Sequence, residues 1–108
     1  MLSPLHLSRV IDHIDAYLDG PLTLAGLAAQ ACLSPFHFSR SFKRSMGIWL
    51  HQFVIRRRIE RAKQLVRYSR RPLVEIGLLV GFDSQASFCA RFHREVGMSP
   101  GNFRKIFR

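Results

Sequence analysis

The stretch FHFSRSFKRSMG, Phe36 to Gly47, returns in altered form as SFCARFHREVG, Ser87 to Gly97, fifty positions further on. Shifting the chain by fifty aligns residues 34–53 with 84–103, and six of the twenty pairs are identical: Ser34/Ser84, Phe38/Phe88, Phe42/Phe92, Arg44/Arg94, Gly47/Gly97 and Phe53/Phe103. What is kept is a helical stripe. At about 100° per residue, Phe38, Phe42 and Met46 share one side of a helix, and Phe88, Phe92 and Val96 share the same side of its copy. These faces point inward. The opposite side carries Phe36, His37, Arg40, Lys43 and Arg44 in the first copy, and Ala86, Ser87, Ala90, His93 and Arg94 in the second. Each copy follows a short segment with an apolar-small pair, Leu27-Ala28 or Ile76-Gly77, whose small member lets the next helix cross closely. A short helix, a tight turn and a second helix with an apolar back and a basic front make the helix-turn-helix pattern, which lays its second helix in the DNA major groove.

Working outward, helix starts and stops are well marked. Ser3-Pro4, Ser34-Pro35 and Ser99-Pro100 place a capping hydroxyl before a proline at the first helical position. Gly20, Gly47, Gly81 and Gly97 suit the left-handed residue that closes a helix. The signals predict about seven helices: Pro4 to Asp19, Thr23 (as cap) to Cys32, Pro35 to Met46, Leu50 to Ser69, Leu73 to Val80, Ser84 to Val96 and Pro100 to Phe107. No window alternates with a period of two, so the fold class is all-α. The expected organisation is a single DNA-binding domain over 1–108, with a helix-turn-helix lobe at 1–49, a linker helix at 50–71 and a second lobe at 72–108. Two readers in one polypeptide suit an asymmetric site bound by a monomer.

Composition sets limits on function. The 108 residues include 17 Lys and Arg against 7 Asp and Glu, a formal charge of +10 that attracts a polyanion by counterion release. The charge is uneven. Arg9 is the only basic residue up to position 35, and the other 16 lie between Arg40 and Arg108, in the part that carries the repeat. A 47% apolar content with nine Phe fills a core without disulfides, and Cys32 and Cys89 read as free thiols of a reduced compartment. The start MLSPLHLS lacks a basic leader, and no apolar run approaches the roughly 18 residues of a membrane span, so a soluble, non-exported protein is expected. Neither a phosphate-binding glycine loop nor a nucleophile constellation occurs, and no enzyme activity, metal or cofactor is expected. Cys89 and His93, four apart, would be half of a metal site with no second half.

The arrangement resembles the DNA-binding domain of the AraC/XylS family of bacterial transcription regulators over nearly the whole chain. The most specific stretch is EIGLLVGFDSQASFCARFHREVGMSPGNFR, Glu75 to Arg104; LAAQACLSPFHFSRSFKRSMG matches the first half, and Phe53, Arg58 and Ala62 match the connecting helix. Three positions depart from the family pattern. Gly77 stands where Ala is usual, a mild change; Trp49 replaces the capping Ser or Thr before helix four; and Ala90, with Arg91 beside it, takes a place often held by Arg. The resemblance implies base contacts from Phe36, Ser39 and Arg40 on the first recognition helix and from Gln85, Ala86, Ser87 and Ala90 on the second. It also implies a cytoplasmic bacterial regulator, associated with the nucleoid when bound, commonly an activator that contacts RNA polymerase. Such a regulator either stands alone or is the DNA-binding end of a longer protein.

Side-chain chemistry ranks these positions. Arg40 can pair bidentately with guanine O6 and N7, and Gln85 with adenine N6 and N7; a phosphate contact or a solvated charge is the alternative for Arg40. Phe36 fits a thymine methyl or deoxyribose, or else packs on helix two. Ala86 and Ala90 are too short to hydrogen-bond, so the second module depends on methyl contacts, Ser87 and DNA shape, and the first dominates specificity. His37, Lys43, Arg44, Arg91, Arg94 and Arg104 suit the phosphate backbone, against the plain alternative of solvated charge. The linker helix is basic and amphipathic, yet Ile55, Ile59, Ala62, Leu65 and Val66 are needed to join the halves rather than to bind membrane. Arg58 falls in that apolar arc and is expected to meet Glu75 or helix carbonyls. A linker of about nineteen residues is about 28 Å long against about 34 Å between adjacent major grooves, so bent DNA is expected. The rival reading is a sequence-indifferent binder of nucleic acid driven by charge.

Overall fold

A computed structural model describes residues 2–107. Those residues form seven helices and no strands: α1 (Pro4–Ala16), α2 (Leu24–Gln30), α3 (Pro35–Met46), α4 (Leu50–Tyr68), α5 (Leu73–Leu79), α6 (Gln85–Val96) and α7 (Pro100–Phe107). The all-α expectation holds, with ends that shift by at most two residues in six of the helices. The exception is α1, which stops three residues before Asp19. There the Tyr17 N–H reaches the carbonyls of both His13 and Ile14, a tightening that ends the helix without a left-handed residue.

Capping follows the hydroxyls. Ser3, Thr23, Ser34, Ser84 and Ser99 accept hydrogen bonds from the N–H groups of His6, Gly26, His37, Ser87 and Asn102, satisfying donors that the helix cannot. At the other ends Gly47, Gly81 and Gly97 are left-handed, with φ of 79°, 103° and 89°. Gly20 is not, and a residue with no such expectation, Cys32 after α2, is left-handed at φ 57°. The reason is the motif itself. In both helix-turn-helix turns an N–H bonds back five residues, Leu33 to Ala28 and Phe82 to Gly77, and the residue just before that donor must turn left-handed. Cys32 and Gly81 are those residues.

The chain packs as two compact units that divide within α4, residues 1–54 and 55–108. The linker helix is therefore shared rather than separate: Leu50, Phe53 and Val54 enter the first core, and Ile55, Ile59, Ala62 and Val66 the second. In the first core Phe38 and Phe42 are fully buried, their rings 5.9 Å apart, and Phe53 meets Phe42 edge-on at 5.4 Å. The second core repeats this with Phe88, Phe92 and Phe103, at 5.7 and 5.5 Å. Each phenylalanine triad is related to the other by the fifty-residue shift. Offset and edge-to-face rings are the favoured aromatic geometry, and burial of each ring contributes about 1.5–3 kcal/mol.

Gly77 proves more constrained than a mild departure. The Phe88 side chain lies so close that a Cβ on Gly77 would sit 2.9 Å from its Cδ2 and Cγ and 3.0 Å from its Cβ. In the first unit the matching place is held by Ala28, buried against α3. Glu75, expected near Arg58, accepts a hydrogen bond from Arg71 one turn earlier. Arg58 is half-buried, and desolvation lowers its pKa from the usual guanidinium value.

Candidate nucleic-acid interface

Burying Phe38 and Phe42 turns the other side of α3 to solvent. On that side Phe36 is 65% exposed, so its ring is not packed away on α2, and the Arg40 guanidinium lies 5.4 Å from the ring centroid. Phe36, Ser39, Arg40, Lys43 and Arg44 line an open groove with Trp49 at its far end. Five of its six residues come from α3, and every one of those five is a candidate from the sequence. The sixth is Trp49, noted there only as a departure from a capping pattern. The overlooked signal was the aromatic type itself, at a position where the duplicated half keeps a serine.

Local structure fixes the poses. Ser34 holds the start of α3 twice over, accepting the His37 N–H and bonding the His37 ring Nδ1 at 3.0 Å. His37 is thereby exposed at the cap, next to the groove rather than in its lining. Lys43 is half-buried, donating from Nζ to the Gly47 carbonyl at 2.9 Å beneath the Trp49 ring, with its charge at the C-terminal end of α3. Arg40 and Arg44 are exposed.

The second unit presents a plainer face. Gln85, the first residue of α6, is exposed, as are Ala86, Ala90 and Arg94, while Ser87 and Arg91 are half-buried. Ser84 accepts the Ser87 N–H at 3.1 Å, which orders the first turn where these short side chains stand. Arg104 does not join them. Its Nε donates to the Val66 carbonyl at 3.0 Å and its Nη2 to the Ser69 carbonyl at 3.3 Å, closing the end of α4. Half-buried and bonded to those carbonyls, this guanidinium caps the end of α4, a structural part that the phosphate-contact expectation did not include.

This geometry suits a polyanion with a regular surface. Among the described residues no group of three or more His, Cys, Asp or Glu is placed to hold a metal ion, and no helix is long and apolar enough to cross a membrane. Comparison with other proteins gives the arrangement its relatives. A family model described as a helix-turn-helix domain matches residues 27–106. The chain belongs to the AraC-type helix-turn-helix family.

AraC-type domains belong to transcriptional regulators that bind DNA, not to enzymes. The chain is 36% identical over 104 residues to the probable transcriptional regulator LumQ of Photobacterium leiognathi, covering 96% of this chain and 42% of that protein. It is 35% identical over 95 residues to the arabinose operon regulatory protein of Escherichia coli, covering 88% and 32%. The chain thus spans less than half the length of these relatives. Among solved AraC-type structures, the DNA-binding domain of AdpA in complex with a target DNA superimposes with a TM-score of 0.89 at 28% identity, covering 94% of this chain and 92% of that one. The C-terminal domain of AraT, a response regulator from Geobacillus stearothermophilus, also gives 0.89, at 31% identity over 97% and 87% of the two chains.

Proposed function

We propose that this chain binds duplex DNA sequence-specifically and regulates transcription, with α3 and α6 entering adjacent major grooves. Arg40 reads guanine, Phe36 lies against a thymine methyl or deoxyribose, and Ser39 supports them. Gln85 reads adenine, while Ala86, Ser87 and Ala90 follow methyl groups and shape. His37, Lys43, Arg44, Arg91 and Arg94 meet phosphates. The observation that carries this reading is the aromatic and cationic front of α3, exposed because Phe38 and Phe42 anchor its back in the core. The likeness to AdpA, whose DNA-binding domain is solved on its target, supports it.

In the same reading the protein occupies an asymmetric site as a monomer in the bacterial cytoplasm and activates transcription by touching RNA polymerase. In this reading the bound duplex also bends, so that two successive major grooves, roughly 34 Å apart on one face of straight DNA, are both engaged. Selection of bound sequences from a random duplex pool at about 0.15 M salt tests the proposal. A single asymmetric element with a guanine set by Arg40 is expected; enrichment of no sequence would leave charge-driven coating of nucleic acid as the better description. Gel mobility with the selected site circularly permuted reads the bend, and straight DNA footprinted by both modules would contradict it.

A further inference from the structure

Position 49 is where the two copies of the motif part. Its counterpart fifty residues on, Ser99, caps α7 by accepting the Asn102 N–H at 3.1 Å. Trp49 stands in the same place before α4, where its carbonyl accepts the Phe53 N–H at 3.0 Å but its side chain has no oxygen to offer the next turn. The exchange gives up a cap and leaves a large apolar residue 47% exposed. The indole is not part of the first core, and its N–H, which can only donate, makes no hydrogen bond to the described residues.

What the indole does meet is the groove along α3. Lys43 Nζ sits 5.5 Å from the ring centroid and is held there by its bond to the Gly47 carbonyl, so it is a fixed cation rather than a free arm. At the other end of the same groove Arg40 stands over Phe36 in the same way. Two aromatic faces, each with its own cation, therefore open to solvent from one surface. A ligand that satisfies both must repeat negative charge at a regular spacing and present C–H surface between the charges. The sugar-phosphate edge of nucleic acid does this through the puckered deoxyribose between successive phosphates, whereas an acidic peptide has no such fixed repeat.

We infer that Trp49 is a DNA-contacting residue of the first module: its ring lies on a deoxyribose beside the groove that α3 enters, and its indole N–H donates to the neighbouring phosphate oxygen. The contact adds affinity without reading sequence. It rests on the reading of α3 as a recognition helix.

Trp49 is the single tryptophan of the chain, so intrinsic fluorescence reports on it alone. Titration with the selected duplex should change indole emission with the same midpoint as the anisotropy of a labelled duplex. Trp49→Ser installs the hydroxyl used at position 99, so the thermal midpoint should hold or rise while affinity falls about five- to tenfold, the low end for one aromatic stacking contact. The salt dependence of binding should keep its slope, because indole is uncharged. Trp49→Phe should retain most of the affinity. Emission indifferent to bound DNA, or Trp49→Ser binding as tightly as the parent, would overturn the inference. Should Trp49→Ser lose stability instead, the fluorescence titration and Trp49→Phe decide. Loss of binding in Arg40→Ala beside unaltered Trp49 variants would sink this contact and spare the recognition helix; a parent chain that prefers no duplex would sink both.

Discussion

In the proposed reading, Arg40 is the residue on which base recognition depends most. It is exposed on α3, steadied by the face of Phe36, and no carboxylate among the described residues pairs with it. A bidentate pair with guanine contributes about 1–3 kcal/mol of discrimination. Arg40→Ala should therefore weaken binding to the selected site by roughly that amount and flatten the preference at one base, while binding to unrelated duplex changes little; competition with base-substituted sites measures it. An equal loss on every sequence would reassign Arg40 to phosphate. Arg104 shows the opposite outcome for a residue of the same type. Its bonds to the Val66 carbonyl of α4 and the Ser69 carbonyl just beyond it make it part of the fold, so Arg104→Met should lower stability by about 1–3 kcal/mol in denaturant unfolding and leave the salt slope of DNA binding unchanged. Unchanged stability with a slope shallower by about one ion would return it to the backbone contacts.

At the scale of elements, the duplicated stripe was legible because burial has a period. Phe38, Phe42, Phe88 and Phe92 could only share a helix face, and the serine caps and closing glycines are local chemistry written in single residues. What was not legible depended on a neighbour across the fold. Cys32 takes a left-handed turn because two carbonyls of α2 require it, and no residue type in the sequence announces that. Trp49 reads as a missing cap until the groove of α3 is seen beside it. Arg104 looks like any exposed cation until the end of α4 arrives. Gly77 is the same kind of case. Adding a methyl 2.9 Å from the Phe88 ring overpacks the α5–α6 crossing by about 1–3 kcal/mol, and the better helix propensity of Ala returns at most about 1 kcal/mol. Gly77→Ala should thus destabilise the second unit by about 1 kcal/mol in thermal unfolding, and a raised midpoint would mean that Phe88 moves aside.

For the molecule as a whole, two packed units each bury the phenylalanine face of one helix, α3 or α6, and leave its other side exposed, and all but one of the 17 basic residues lie from Arg40 onward, six of them on α4. A net charge of +10 guarantees attraction to any nucleic acid at low salt, so attraction alone distinguishes nothing. Specific contacts differ in that they survive when counterions compete, since hydrogen bonds to base edges release few ions. The measurement that bears most directly on the central claim is the dissociation constant for the selected duplex and for a scrambled duplex of equal length, each followed from about 0.05 to 0.3 M salt. Two outward recognition helices predict a ratio of about a thousandfold or more that persists at the top of that range and shrinks when Arg40 is replaced by Ala. Two curves that fall together and meet, with Arg40→Ala indistinguishable from the parent, would contradict it.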